Sequence, residues 1–421
     1  MFHKICMNCK IAITFECATE NYIFHIRRQT NMAGSRRRFM RNSAVGAGAA
    51  VSGGVLARKA SAQNRKTPSV ELLKVGVIAL GANSHMNYSI WAPTINPTEP
   101  DVWPVRSTRM QITHCWDIDP EMASMFAKTY KCEAVKNYYD MVGKVDGMIF
   151  AGFNECKWWP QLTKPYLEAG IPCFINRPFA YSMKAAHEIV DTAKKYNTPI
   201  LCTDEREYIK ESHVGRWKVG EMLKEGKQIL GVTSDNSAGY EYPQHGVHGL
   251  YFMLAILGLD VAEVSLQADG WWREQTPTAR KAMTWGTLNL RYNGIEIEGA
   301  GRQTKPFVAT QQQLSGYGAN AGMRIYHTGG WWDIMNHWTR GEKLNRLYHL
   351  FFPTIFAIQR MFETGKMQWS YDYILQKTRI FLTGFKSHLE HNGAMLKVDD
   401  LPNNWEAPSP YPDWINESIF K

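Results

Sequence analysis

The sequence predicts an α/β protein, with a parallel sheet covered by helices on both faces in its first half and an α+β domain after it. Two observations carry this expectation. Between Leu73 and Thr203, apolar runs of strand length alternate with segments of helix length, the pattern of βαβ units. Beyond residue 206, strand-length segments follow one another around an Asn-Gly pair and give way to two long helical patterns, as in a domain that segregates its sheet from its helices. The 421-residue chain therefore divides into a leader over 1–62, a first domain over 63–206, a second over 207–400 and a tail over 401–421.

In the leader, Ser35-Arg36-Arg37-Arg38-Phe39-Met40-Arg41 precedes a weakly apolar run from Ala44 to Leu56, then Arg58-Lys59 and Ala60-Ser61-Ala62. Adjacent arginines, a short run of small residues and an A-x-A end read as a twin-arginine signal cleaved after Ala62. The expectation is passage of the folded chain through the twin-arginine (Tat) export machinery, into the periplasm or otherwise out of the cytoplasm. Residues before Met32, including Cys6, Cys9 and Cys17, carry no export feature and leave the translation start at Met1 or Met32. The Cys6-x-x-Cys9 pair lacks the second half of a zinc site. Ten Lys/Arg against two Asp/Glu in residues 1–62 supply +8 of the chain's +9 charge. The remainder is nearly neutral, so the basic composition implies no nucleic-acid partner. No apolar run approaches the roughly 20 residues of a bilayer span, which predicts a mature form without one. Cys115, Cys132, Cys156, Cys173 and Cys202 read as buried thiols.

Leu73–Leu80 is the first predicted strand, and Gly81-Ala82-Asn83-Ser84-His85 turns out of it. Further strands are predicted over Gln111–Ile118, Gly147–Gly152, Pro172–Asn176 and Pro199–Thr203, with helices over Pro120–Tyr130, Trp158–Ala169 and Met183–Tyr196. Right-handed crossovers place a ligand at the carboxyl ends of such strands. Where a dinucleotide loop would read G-x-G-x-x-G, the chain has Ala79-Leu80-Gly81-Ala82-Asn83-Ser84. Gly81 keeps the close backbone approach to a pyrophosphate, while Ala79 and Ser84 are small enough for close packing. The same segment also reads as a plain strand-to-helix turn. After the second strand, Trp116-Asp117-Ile118-Asp119-Pro120 offers Asp117 to a ribose and Asp119 as a helix N-cap. A carboxylate there repels a 2′-phosphate, so NAD is expected ahead of NADP. The spacing from Gly81 is lengthened by the segment Trp91–Arg106.

In the second half, strands are predicted over Ile229–Ser234, Ala262–Ala268, Gly286–Tyr292 and Ile295–Ala300. Tyr292-Asn293-Gly294-Ile295 reads as a two-residue hairpin turn. Helices are predicted over Lys343–Phe362 and Tyr371–His391, and a Pro/Trp-rich tail from Leu401 is expected to lie over the surface. Trp158-Trp159, Trp271-Trp272 and Trp331-Trp332 are adjacent pairs. On a strand, one of each pair can be core while the other faces a cleft, where an indole plane suits the C–H face of a sugar ring. The Gly329-Gly330-Trp331-Trp332-Asp333 loop, and Trp272-Arg273, are the substrate-facing candidates, with core packing as the other reading.

Three segments resemble the Gfo/Idh/MocA oxidoreductases. They are Ala151-Gly152-Phe153-Asn154 at the family's Thr-Pro-Asn turn, Glu168 through Pro178 at its Glu-Lys-Pro segment, and Gly246-Val247-His248 opening its histidine-bearing helix. The resemblance implies a Rossmann domain and a C-terminal domain with an open, mostly antiparallel sheet. It implies a tightly held nicotinamide cofactor, contacted by Asn154, Asn176 and Pro178, and a sugar, cyclitol or sugar-derivative substrate. Homo-oligomers through the open sheet are common in the family.

The chain departs from that pattern at the reacting groups. The family's lysine is Arg177, which stays charged and cannot exchange a proton. It can polarise a reacting carbon–oxygen bond, or merely pair with a carboxylate. His248 is the expected general base, since imidazole titrates near neutrality; a hydrogen-bonded core histidine is the bland reading. Gln244 replaces the family's usual Asp, with His245 as a substitute support. His245-x-x-His248 has no carboxylate or cysteine at ligand spacing, so no metal is expected. Glu205 and Arg206 either contact substrate or form a structural pair. The function expected is an exported NAD-dependent oxidoreductase. An NAD-using glycoside hydrolase or lyase of the same fold, or a catalytically silent carbohydrate-binding homologue, are the other readings.

Overall fold

The computed structural model describes residues 71–78, 86, 91–97, 108–152, 155–236, 246–268, 285–314, 321–335 and 343–408. The expected leader over 1–62, with its arginines, lies outside them. The first sheet opens with β1 (Leu73–Ile78), followed by α1 (Trp91–Ile95), β2 (Met110–Trp116), α2 (Pro120–Tyr130), β3 (Glu133–Ala134) and β4 (Gly147–Phe150). Then come α3 (Trp159–Glu168), β5 (Cys173–Ile175), α4 (Met183–Lys195) and β6 (Ile200–Leu201). All pairings are parallel, in the order β3-β2-β1-β4-β5-β6. That order reverses direction between β1 and β4, which makes the carboxyl ends of Ile78 and Phe150 the crevice where such sheets bind ligands. Local signals set the helix starts. Asp119 accepts the Glu121 N–H ahead of Pro120, as the N-cap reading expects, and Ser182 caps α4 through the Ala185 N–H.

The chain continues through a 3-10 turn (Glu205–Glu207), α5 (Lys210–Lys224), β7 (Ile229–Asn236), α6 (Val247–Leu257), β8 (Val261–Ala268) and β9 (Trp285–Tyr292). Next are β10 (Ile295–Ile297), β11 (Gly301–Gln303), β12 (Phe307–Leu314), β13 (Ala321–His327) and β14 (Gly330–Met335). Helices α7 (Lys343–Thr364) and α8 (Tyr371–His391) and strand β15 (Leu396–Lys397) complete it. The second sheet runs β14-β13-β7-β12-β9-β8-β15, with β7 and β12 parallel and the other pairs antiparallel. The architecture is thus a Rossmann-like sheet joined to a mixed, mostly antiparallel one.

Three expectations change. Asn293-Gly294 does not close a hairpin: among the described residues β9 pairs with β8 and β12, while β10 pairs only with β11. Neither residue has a positive φ. Asn293 is held by Asp260 instead (Nδ2 to Oδ1, 2.9 Å), and a Cβ on Gly294 would stand 2.1 Å from the Gln303 carbonyl oxygen. The glycine serves a close approach, not a turn. Trp158 and Trp159 both sit buried where a 3-10 turn meets α3, so strand alternation does not apply to them. The predicted Gly329–Asp333 loop belongs to the β13–β14 hairpin, in which β14 is an edge strand.

Helix α7 returns to the first sheet. Its Ile355, Ile358, Met361 and Phe362 pack with Val75, Ile112, Ile149 and Phe174 in one apolar cluster. Gly147 leaves the space that Phe362 fills, since a Cβ there would stand 2.5 Å from the ring. Leu401 and Ala407 are buried, so the start of the expected surface tail is docked, with the Ala407 N–H on the Tyr181 carbonyl. Of the five predicted buried thiols, Cys132 is only half-buried. Among the described residues no helix is long and apolar enough to cross a membrane.

Candidate functional site

Strands β4, β5 and β6 end side by side, Phe150 opposite Ile175 and Phe174 opposite Leu201. The residues that follow them therefore share one edge of the sheet. After β5 comes Asn176-Arg177-Pro178, with a cis Arg177–Pro178 bond. The buried Asn176 amide donates to the carbonyls of Ala151 (2.9 Å) and Gly152 (3.3 Å), bracing the turn after β4. Its Oδ1 is buried without a protein partner. After β6, Asp204 caps the 3-10 turn by accepting the Arg206 N–H at 3.0 Å, and Glu207 closes a capping box by accepting the Asp204 N–H at 2.8 Å.

The first turn of α6 carries His248 onto this edge. Its Nδ1 hydrogen-bonds Asp204 Oδ2, and its Nε2 lies 2.8 Å from Arg177 Nη2. Arg177 Nε donates to the same Asp204 oxygen at 3.2 Å. A guanidinium only donates, so Nε2 accepts, and the imidazole is neutral with its proton on Nδ1, shared with Asp204. Burial, reinforced by the Arg177 charge, holds the His248 pKa well below the usual histidine range, against the pull of Asp204. Burial opposes ionisation of Asp204, but His248, Arg206 and Arg177 outweigh it and keep the carboxyl well below its usual range. Arg206 stands 4.0 Å from Asp204 Oδ1 and Glu205 3.9 Å from His248 Nδ1. All these side chains are buried, and the His248 ring is the most accessible of them at 10 % exposure.

Sequence reasoning named His248, Arg177, Glu205 and Arg206, and the structure brings all four together. Asp204, the hub between them, was missed as a ligand because it sits 44 positions from His248. The D-x-x-E capping pattern of Asp204 and Glu207 was the available signal. Asp204, Glu205 and His248 converge closely enough to ligate a metal ion, but two guanidiniums crowd the same carboxylate, which disfavours an added cation. Asp117 is buried at the carboxyl end of β2, its Oδ1 accepting the Asp119 N–H at 2.8 Å.

Trp332 and Asp333 are engaged elsewhere. Lys218 lies 5.1 Å over the Trp332 ring, and Asp333 makes a two-pronged bond to Arg324 at 2.7 and 2.9 Å. Trp331 is 60 % exposed on the opposite face from Trp332, as strand alternation predicts. Gly81, Ala82, Asn83, Ser84, Asn154, Gln244, His245, Trp272 and Arg273 lie outside the described residues.

Comparison with known proteins agrees with this layout. Residues 75–202 match the sequence model of the Gfo/Idh/MocA group, described as an oxidoreductase family with an NAD-binding Rossmann fold. The search of curated protein sequences returned no match. The fold is similar to that of scyllo-inositol dehydrogenase from Lactobacillus casei, solved with NAD(H) and scyllo-inositol (14 % identity, 78 % of this chain and 99 % of that one, TM-score 0.58). It is also similar to myo-inositol 2-dehydrogenase from Lactobacillus plantarum (13 %, 77 % and 99 %, TM-score 0.58). An oxidoreductase from Agrobacterium radiobacter, in complex with NAD+, L-tartaric acid and magnesium, matches at 13 %, 78 % and 98 %, with TM-score 0.54.

Proposed function

We propose that the chain is an exported, NAD-dependent oxidoreductase of the Gfo/Idh/MocA type, acting on a sugar, cyclitol or sugar derivative by hydride transfer. The observation that carries this reading is the meeting of His248, Arg177 and Asp204 at the carboxyl edge of a sheet with the dinucleotide-binding strand order. The family match over 75–202 supports it.

A dinucleotide fits the residues present. The orphaned Asn176 Oδ1 is a buried acceptor that a hydroxyl or amide donor of a dinucleotide would satisfy. Asp117, Asn176 and Pro178 would hold it together with Gly81, Ala82, Asn83, Ser84 and Asn154, and Asp117 would favour NAD over NADP. When bound, NAD supplies the hydride acceptor.

The chain's own residues handle the proton. Asp204 ties down Nδ1–H, so Nε2 is the basic atom of His248, and the depressed pKa keeps it unprotonated at neutral pH. Arg177 occupies Nε2 at rest. A substrate hydroxyl entering between them would donate its proton to Nε2 and accept from Arg177, which polarises the carbon–oxygen bond. Asp204 then stabilises the imidazolium. Residues 35–62 would direct export of the folded, loaded protein, and a second substrate would regenerate the bound cofactor.

Mass spectrometry of the purified protein, with absorbance at the reduced-nicotinamide band during incubation with sugars and cyclitols, tests the reading. Bound or recruited NAD and substrate-dependent reduction are expected; His248→Ala should lose the reduction and keep the dinucleotide. Protein that neither carries nor takes up a dinucleotide would be a carbohydrate-binding homologue instead. Release of an aglycone without net oxidation would mark a glycoside hydrolase or lyase.

A further inference from the structure

Lys377, on α8, has a fully buried side chain. Its Nζ donates to Glu207 Oε2 at 2.8 Å and Oε1 at 3.1 Å and to the Cys202 carbonyl at 3.0 Å, and lies 4.2 Å over the Tyr251 ring. Each proton of the ammonium thus has an acceptor. Glu207 passes the connection on: Oε2 also accepts the Asp204 N–H at 2.8 Å and the Thr203 hydroxyl at 2.6 Å, while Oε1 accepts from Tyr373. A buried ion pair is a poor source of stability compared with apolar residues of the same volume. Its use here is specific, because the carboxylate that Lys377 neutralises sets the backbone of the residue that orients His248.

We propose that Lys377 is a positioning residue for the His248 site: through Glu207 it fixes the backbone of Asp204, and through Asp204, whose Oδ2 holds both His248 Nδ1 and the Nε of the Arg177 that donates to Nε2, the Nδ1–H tautomer of His248. This deepens the proposed function and rests on His248 being its base. The charged groups around the two ends are distinct. His248 faces Arg177, Asp204, Glu205 and Arg206, whereas Lys377 faces Glu207 and the phenols of Tyr251 and Tyr373. The coupling runs through the Glu207 carboxylate, while the Lys377 bond to the Cys202 carbonyl holds the backbone two residues before Asp204.

Nitrogen-15 NMR of the full chain with labelled histidine tests it, the His248 signals being assigned by their loss in His248→Gln. The unmodified protein should show one tautomer at neutral pH, Nδ1 protonated and Nε2 bare. In Lys377→Met that single-tautomer pattern should be lost to exchange between both forms. The pair Lys377→Met/Glu207→Gln keeps an oxygen for the Asp204 N–H without a buried charge, and should restore it. Lys377→Met/Glu207→Met leaves no unpaired charge, so it reports even if the single variant does not fold; it should lose the pattern again. An unaltered tautomer in Lys377→Met or in the Met/Met pair, or no restoration in the Met/Gln pair, overturns the proposal. The tautomer is read without substrate turnover, so the outcome of this measurement is distinguishable from that of the hydride-transfer assay.

Discussion

Replacing Asp204 with asparagine keeps the shape of the side chain and removes its charge. Two guanidiniums then remain buried beside a neutral amide, Arg177 at 3.2 Å and Arg206 at 4.0 Å. At an effective dielectric of about 20, unit charges at these distances attract by roughly 5 and roughly 4 kcal/mol. Part of that offsets desolvation, and removing one partner of a buried pair typically costs about 3–5 kcal/mol net. Residues 70–421 form one compact unit; at about 2.1 cal/mol/K per residue, its unfolding entropy makes 4 kcal/mol equal to a fall in Tm of about 5 °C. Thermal unfolding of Asp204→Asn, Arg177→Met and the double variant reads this directly. The double variant should lose less than the two singles together, by about 1–3 kcal/mol. A fall below about 1 °C in Asp204→Asn, or strict additivity, would refute the view that Asp204 is the charge hub of the site.

The remaining predictions concern pH, cofactor and backbone. Because His248 has a depressed pKa, the unfolded chain takes up a proton below about pH 6.5 that the folded chain refuses. Stability should be full above that pH and fall by up to about 1.4 kcal/mol per pH unit below it. The difference in Tm between the unmodified chain and His248→Gln, followed from pH 7.5 to 5, should shrink as the pH falls; a constant difference would mean the ring is not held neutral. Asp117→Ala should reduce co-purifying NAD measured by mass spectrometry, with Tm little changed, and equal retention would move the ribose contact elsewhere. Gly294→Ala puts a Cβ 2.1 Å from the Gln303 carbonyl oxygen. It should cost roughly 1–3 kcal/mol, and an unchanged melting curve would contradict the close approach described here.

The first sheet was legible because a buried parallel strand and its following helix differ so plainly in sequence: Val75, Val77 and Ile78 are all buried, and Asp119-Pro120 announces α2. The second was only partly so. Strands β12 to β14 escaped notice because β12 reads Phe-Val-Ala-Thr-Gln-Gln-Gln-Leu, and its Gln311 and Gln313 occupy buried positions where apolar residues are expected. In the folded chain their amide nitrogens donate to the Ser234 hydroxyl at 3.3 Å and to the Gly246 carbonyl at 3.2 Å, contacts between residues distant in sequence. At the site, His248 and Arg177 were legible through the resemblance. Asp204, Glu207 and Lys377 were not, since Lys377 and Glu207 are 170 positions apart and only the contact of α8 with the segment after β6 unites them.

The return of α7 to the first sheet has a consequence for biosynthesis. A ribosome adding about 5–20 residues per second releases β6 well before Phe362, which fills the notch at Gly147. The nascent first half must wait, its apolar flank open to chaperones, until the helix that seals it has been translated. Cutting the gene after the first half would yield a sheet lacking its lid of Ile355, Ile358, Met361 and Phe362, a fragment poorly suited to separate expression.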